Sequence, residues 1–163
     1  MKELMDKLTS YNLFNYLLPG VIFVVISKEL LGRDFSQENI LLGGFLYYFI
    51  GMVISRIGSL IIEPILKKVS FLKFADYGNY VTASKKDEKI DLLSEVNNSY
   101  RTIVALFVSL LSLRGYVWCS GVWPVLSEHH ALIATVFCLA IFLFSYRKQS
   151  DYVRKRVDAA SNR

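Results

Sequence analysis

Three ionisable side chains stand inside otherwise apolar stretches of this 163-residue sequence: Arg56, Glu63 and Arg114. A charge at such a position is costly, so it is placed either to reach polar headgroups or to meet a partner charge or a wet cavity. Arg56 and Glu63 are seven residues apart and share a helical face, but roughly 10 Å of axial separation is too long for an easy pair within one helix. For Arg56 and Arg114 two roles stay open: snorkelling to the headgroups, or an intersubunit pair or cavity lining. A second constellation, Glu128-His129-His130, has the residue types of a metal or pH-sensing site. Adjacent histidines point in different directions on a helix, and a solvated helix start suits them better. Cys119 lies near the end of one apolar run and Cys138 deep in another, so no disulfide framework is indicated. The sequence has no HExxH, no phosphate-cradling glycine loop, no cysteine pair at metal spacing and no nucleophile elbow. It reads as a non-enzymatic chain without cofactor or metal.

The elements that must position these charges are four apolar runs. Hydrophobic residues make up 53% of the chain and are concentrated in blocks nearly free of charge, which excludes an ordinary soluble domain. The spans cover about 12–31, 40–62, 100–119 and 125–146, each close to the ~20 residues a hydrocarbon core requires. The expected fold is all-α: one integral membrane domain over 1–163, with four transmembrane helices and a helical segment, 64–100, between the second and third. Fifteen of the nineteen Lys and Arg fall in the N-terminal segment, in that central segment and Arg101, and in the tail 147–163. The positive-inside rule then makes both termini and the central segment cytoplasmic. Tyr116, Trp118 and Trp123 at the outer turn and Tyr146 at the inner boundary suit an interfacial aromatic belt.

Inside span one, Asn12, Asn15 and Pro19 share a helical face that should meet another helix rather than lipid. Inside span two, Gly44, Gly51 and Gly58 recur every seven residues beside Ser55 and Ser59, a small-residue stripe for close helix packing. Its partner is another span or a second copy, and a four-helix chain with so little interior favours a homo-oligomer. In the central segment, Ile65, Leu66, Val69 and Leu72 recur at helical spacing. A turn through Asp76, Gly78 and Asn79 follows, and then a second amphipathic stretch through Ile90, Leu93 and Val96. Leu4, Met5 and Leu8 suggest a short interfacial helix. Lys67, Lys68, Lys85, Lys86 and Lys89, with Arg154, Lys155 and Arg156 in the tail, offer a basic surface for anionic membrane lipid or for docking a soluble protein. The net charge of +5 is read as topology plus a docking place, with no direct nucleic-acid contact.

The opening Leu8-Thr9-Ser10-Tyr11-Asn12-Leu13-Phe14-Asn15-Tyr16-Leu17-Leu18-Pro19-Gly20-Val21-Ile22-Phe23, with the short turn near Trp123-Pro124, resembles a family of small bacterial four-span proteins that includes the membrane subunit of the Kiwa anti-phage system. The resemblance implies a tetrameric inner-membrane sensor of phage attachment or injection that holds a cytoplasmic DNA-binding effector. It supplies no catalytic residues. A pore-forming effector or small ion channel, with Arg56, Glu63 and Arg114 near the conduction path, is the alternative.

Overall fold

The computed structural model describes residues 11–161. The interfacial helix expected around Leu4, Met5 and Leu8 lies outside the described residues. Among the described residues the protein is all-α: α1 Leu13–Leu31, α2 Ile40–Lys68, α3 Tyr77–Ser84, α4 Lys89–Val122, α5 Pro124–Glu128 and α6 His130–Ser161. Four of these, α1, α2, α4 and α6, are long and apolar enough to cross a membrane, as a multi-pass membrane protein requires.

The helix ends follow local chemistry. Gly32 takes the left-handed conformation (φ 63°) that terminates α1. The Asn39 side chain caps α2 by accepting from the Leu41 and Leu42 amides. Between them Lys28 and Asp34 pair at 2.9 Å, and Ser36 also donates to Asp34. The Ser36 hydrogen bonds, with Lys28, hold the Asp34 carboxyl well below the usual carboxylate range. This exposed clasp is therefore fully formed near neutrality and is lost only as pH falls through that depressed value. At the other end of α2, Phe71 N–H donates to Leu66 O and Ser70 N–H to Lys67 O, a Schellman turn with Ser70 at φ 59°.

That turn revises the central segment. The helix through Ile65 and Leu66 is the end of α2 and stops at Lys68, so Leu72 is not part of it. The expected turn at Asp76, Gly78 and Asn79 is instead the start of α3, where the Asp76 carboxylate accepts from Gly78 N–H. The second amphipathic stretch is continuous with span three, as the first turns of the 34-residue α4. Trp123 is extended before Pro124 and separates α4 from α5. His130 opens α6, its Nδ1 2.7 Å from Ser127 O, which accounts for the histidine pair as a helix start.

Helices α1, α2 and α4 form the core, closed by Phe23, Val24, Ile54, Ala105, Leu106 and Leu110. Helix α6 packs mainly on α2. Its most apolar window is 6% buried, against 33% for α1 and α2, so it lies on the outside of a three-helix core. Phe49 and Phe142 stack at 5.9 Å across that contact.

Two features set the α1–α2 geometry. Each helix carries a π turn, Leu13–Leu17 in α1 and Gly58–Ile62 in α2. Each π turn is followed, two residues later, by a proline, Pro19 or Pro64. A proline has no N–H to give and its ring crowds the carbonyl four residues back, and a widened turn relieves that conflict. The helices also touch through backbone. A Cβ built on Gly20 would lie 1.7 Å from Tyr47 O, and one on Gly51 would lie 1.7 Å from Tyr16 O. This reciprocal pair holds the axes at a distance that only glycine permits. Gly44, by contrast, has open space where a Cβ would stand, with no atom within 4 Å, and serves as an internal control. Gly51→Ala should therefore cost about 3 kcal/mol or more by forcing α1 from α2, while Gly44→Ala leaves stability unchanged, both read by thermal unfolding of detergent-solubilised protein.

Candidate functional site

The α1–α2 contact brings three polar side chains together in the core. Asn15 projects from the π turn of α1, Ser55 from α2 and Thr102 from α4, and all three are fully buried. Thr102 Oγ1 donates to Asn15 Oδ1 at 2.8 Å, and Asn15 Nδ2 donates to Ser55 Oγ at 3.3 Å. The two hydroxyl oxygens lie 3.2 Å apart, closing a ring that joins three helices. In an apolar interior the Asn15 amide would otherwise be unsatisfied, so the ring specifies register as well as contributing stability.

Over the next two turns of α2, towards the end rich in Lys and Arg, the ring gives way to charge. Arg56 donates to Tyr16 Oη on α1 at 3.0 Å. Glu63, 7% exposed, accepts Lys67 on one carboxylate oxygen and Arg101 of α4 on the other, both at 2.8 Å. Lys67 also lies 4.0 Å from the centroid of the Phe74 ring, which folds the chain after α2 back onto it. From α6, Lys148 reaches Ser59, donating to its carbonyl at 2.7 Å and its hydroxyl at 2.8 Å. That carbonyl needs an outside donor for a physical reason. The Glu63 amide is spent on Gly58 O in the π turn, and the next residue, Pro64, has no N–H. Lys148 thus ties the peripheral α6 to the core through an acceptor that the backbone leaves open.

The cluster is electrostatically unbalanced: Lys67, Arg101 and Lys148 surround the single carboxylate of Glu63, and Arg56 adds a fourth cation on the Lys148 side. The Nε atoms of Arg56 and Arg101 are buried without a hydrogen-bond partner among the described residues. No group of His, Cys, Asp and Glu among the described residues is arranged to hold a metal.

The structure redistributes the residues singled out from the sequence. Gly51, Ser55, Gly58 and Ser59 are occupied inside the chain: Gly51 by Tyr16, Ser55 by Asn15 and Thr102, Gly58 by Arg101 and Ala105, Ser59 by Lys148. Of the two partners the stripe could have, another span of the same chain is the one seen at Gly51 and Gly58, while Gly44 keeps an open face. Arg56 and Glu63 do not pair with each other but with residues of α1 and α4, and Arg114 is exposed in the far half of α4. Of the basic docking residues, Lys67 is engaged by Glu63, and Arg154 and Lys155 by Asp151. Lys68, Lys85, Lys86, Lys89 and Arg156 are exposed.

Three participants carry no sequence signal of their own. Thr102 is one hydroxyl at the start of a span, Arg101 reads as a loop charge, and Lys148 reads as the first turn of a basic tail. The face formed by Asn12, Asn15 and Pro19 is the one readable clue, with Asn15 and Pro19 buried against other helices. No protein family, curated protein or solved structure matches the chain.

Unfolding of variants in detergent separates the two layers. Thr102→Val, which strands the Asn15 carbonyl, should cost about 1–2 kcal/mol. Glu63→Ala, which leaves four cations unopposed, should cost about 3 kcal/mol or more, with part of that loss recovered in the Glu63→Ala/Arg101→Met double variant.

Proposed function

We propose that the chain is a membrane-embedded sensor and scaffold of an anti-phage defence complex that holds a cytoplasmic DNA-binding effector at the bacterial inner membrane. The observation that carries the scaffold reading is a structured platform at the basic end. Helices α4 and α6, with 34 and 32 residues, are about 51 and 48 Å long at 1.5 Å per residue, so each outruns a ~30 Å hydrocarbon core by roughly 20 Å. Their overhanging ends meet α3. Tyr80 Oη donates to Asp91 of α4 at 3.0 Å, and the Tyr77 and Tyr152 rings lie 6.1 Å apart. Burial raises the Tyr80 hydroxyl's pKa, which keeps it a donor at neutral pH. A platform of this kind presents Lys85, Lys86 and Lys89 around the α3–α4 turn at a fixed height above the bilayer.

The positive-inside rule puts that end in the cytoplasm, with both termini. The likeness in the opening residues supports the defence role, the DNA-binding partner and a tetramer, and the little-buried face of α6 leaves room for neighbouring copies. The pore-forming alternative has less support, because Asn15, Ser55 and Thr102 satisfy one another instead of lining an open path.

Co-expression with the proteins encoded beside it, followed by affinity capture of the solubilised chain, tests this reading by whether a soluble one is retained. The soluble protein should co-purify and bind DNA. The Lys85→Glu/Lys86→Glu/Lys89→Glu variant should reach the membrane at normal levels, capture about tenfold less partner and fail to protect cells from phage. A chain that purifies alone, or liposomes that leak ions through the purified chain, would refute the scaffold.

A further inference from the structure

Beside the Phe49–Phe142 stack and the Lys148–Ser59 contact, an open groove of about 1010 Å³ lies between α2 and α6. Its walls change character along the axis. Leu60 and Ile61 of α2 face Phe137, Ala140, Ile141 and Phe144 of α6, forming an apolar slot. One turn further along α6 the lining becomes Arg147, Lys148, Ser150, Asp151 and Arg154. Asp151 is the only carboxylate there and is already paired with Arg154 and Lys155. Arg147 has no ion-pair partner among the described residues. Behind Lys148 stand three further cations, Arg56, Lys67 and Arg101, against the one carboxylate of Glu63. The polar end of the groove therefore has positive charge that the protein itself does not balance.

We propose that this groove binds one anionic phospholipid, with an acyl chain along the apolar slot and the phosphate between Arg147 and Arg154. Three features select a lipid over a soluble anion. The slot is open along its side, with Ile61, Phe137 and Phe144 exposed where helices of this kind face hydrocarbon. The apolar wall from Phe137 to Phe144 covers eight residues, a rise of about 10 Å, which fits within the ~15 Å depth of one leaflet's hydrocarbon. The change to basic residues then falls at headgroup depth, the arrangement by which pockets between membrane helices take acidic headgroups. The charge excess selects an anionic headgroup over a zwitterionic one. A bound lipid would also bridge α2 and α6. The inference needs only the four-span embedding and does not depend on the scaffold reading.

Native mass spectrometry of the full chain, titrated with phosphatidylglycerol or with phosphatidylcholine of the same acyl chains, tests it. Phosphatidylglycerol should be retained about tenfold more tightly, and it should raise the unfolding temperature while phosphatidylcholine does not. Arg147→Gln/Arg154→Gln should lose that preference, and so should Ala140→Trp, which fills the slot with every charge intact. Arg114→Gln, at the far end of α4, should keep it. If the double arginine variant fails to fold, the Ala140→Trp variant and the loss of preference in high salt decide the matter. Equal retention of the two lipids, or an unchanged preference in both groove variants, overturns the proposal. Competition by inorganic phosphate as strong as by the lipid, or disulfide cross-linking of two copies through Phe144→Cys in a bilayer, overturns it by identifying a different occupant.

Discussion

The rest of the structure depends on the backbone contact between α1 and α2. In hydrocarbon, lipid tails solvate a leucine as well as another helix does, so apolar faces do not draw helices together as they do in water. What remains is close van der Waals contact and the satisfaction of polar groups. The reciprocal seating of Gly20 under Tyr47 and of Gly51 under Tyr16 supplies the first. It makes the second available, because Asn15 adjoins Tyr16 and Ser55 lies one helical turn from Gly51. At an ordinary interhelical spacing of 8–10 Å, the short side chains of Asn15, Ser55 and Thr102 would have difficulty closing a ring.

The prolines extend the same logic towards the basic end. A helix surrounded by hydrocarbon must find a partner for each carbonyl that a proline leaves open. After the π turn of α2 that carbonyl belongs to Ser59, and its donor comes from another helix as a charged lysine. The consequence is structural and electrostatic at once. Helix α6, which buries little else, is pinned where Lys148 lands. A fourth cation also enters a cluster whose only carboxylate is Glu63. The fold thereby gains a connection between its core and its periphery and accumulates positive charge at one end.

Helical class, the number of spans and the basic asymmetry were legible in the sequence because they are properties of single segments. Run length, the near absence of charge over 131–145 and the clustering of Lys and Arg need no knowledge of neighbours. The buried face of span one was legible for the same reason, since Asn15 and Pro19 lie on one side of any helix. The central segment was less legible. Ile65 to Leu72 has helical spacing, but the chain takes a Schellman turn with Ser70 in a left-handed conformation, which periodicity does not register. Asp76, Gly78 and Asn79 have turn composition, yet Asp76 caps a helix. Both patterns satisfy the same local preferences, and packing against α4 and the end of α6 selects between them.

By itself, the sequence determined the all-helical class, which stretches are apolar enough to span, and which end carries the positive charge. Only the tertiary structure decided what the polar residues within those stretches do. The stripe of Gly44, Gly51 and Gly58 is one pattern on one helix, yet its members meet Tyr16, Arg101 and open space, because contacts depend on where α1 and α4 cross α2. Arg56, Glu63 and Lys148 likewise acquire partners 38 to 89 residues away in the chain. A charge's value in a sequence is fixed, but its cost in a low-dielectric interior depends on which donors and acceptors surround it, and only the folded chain supplies them.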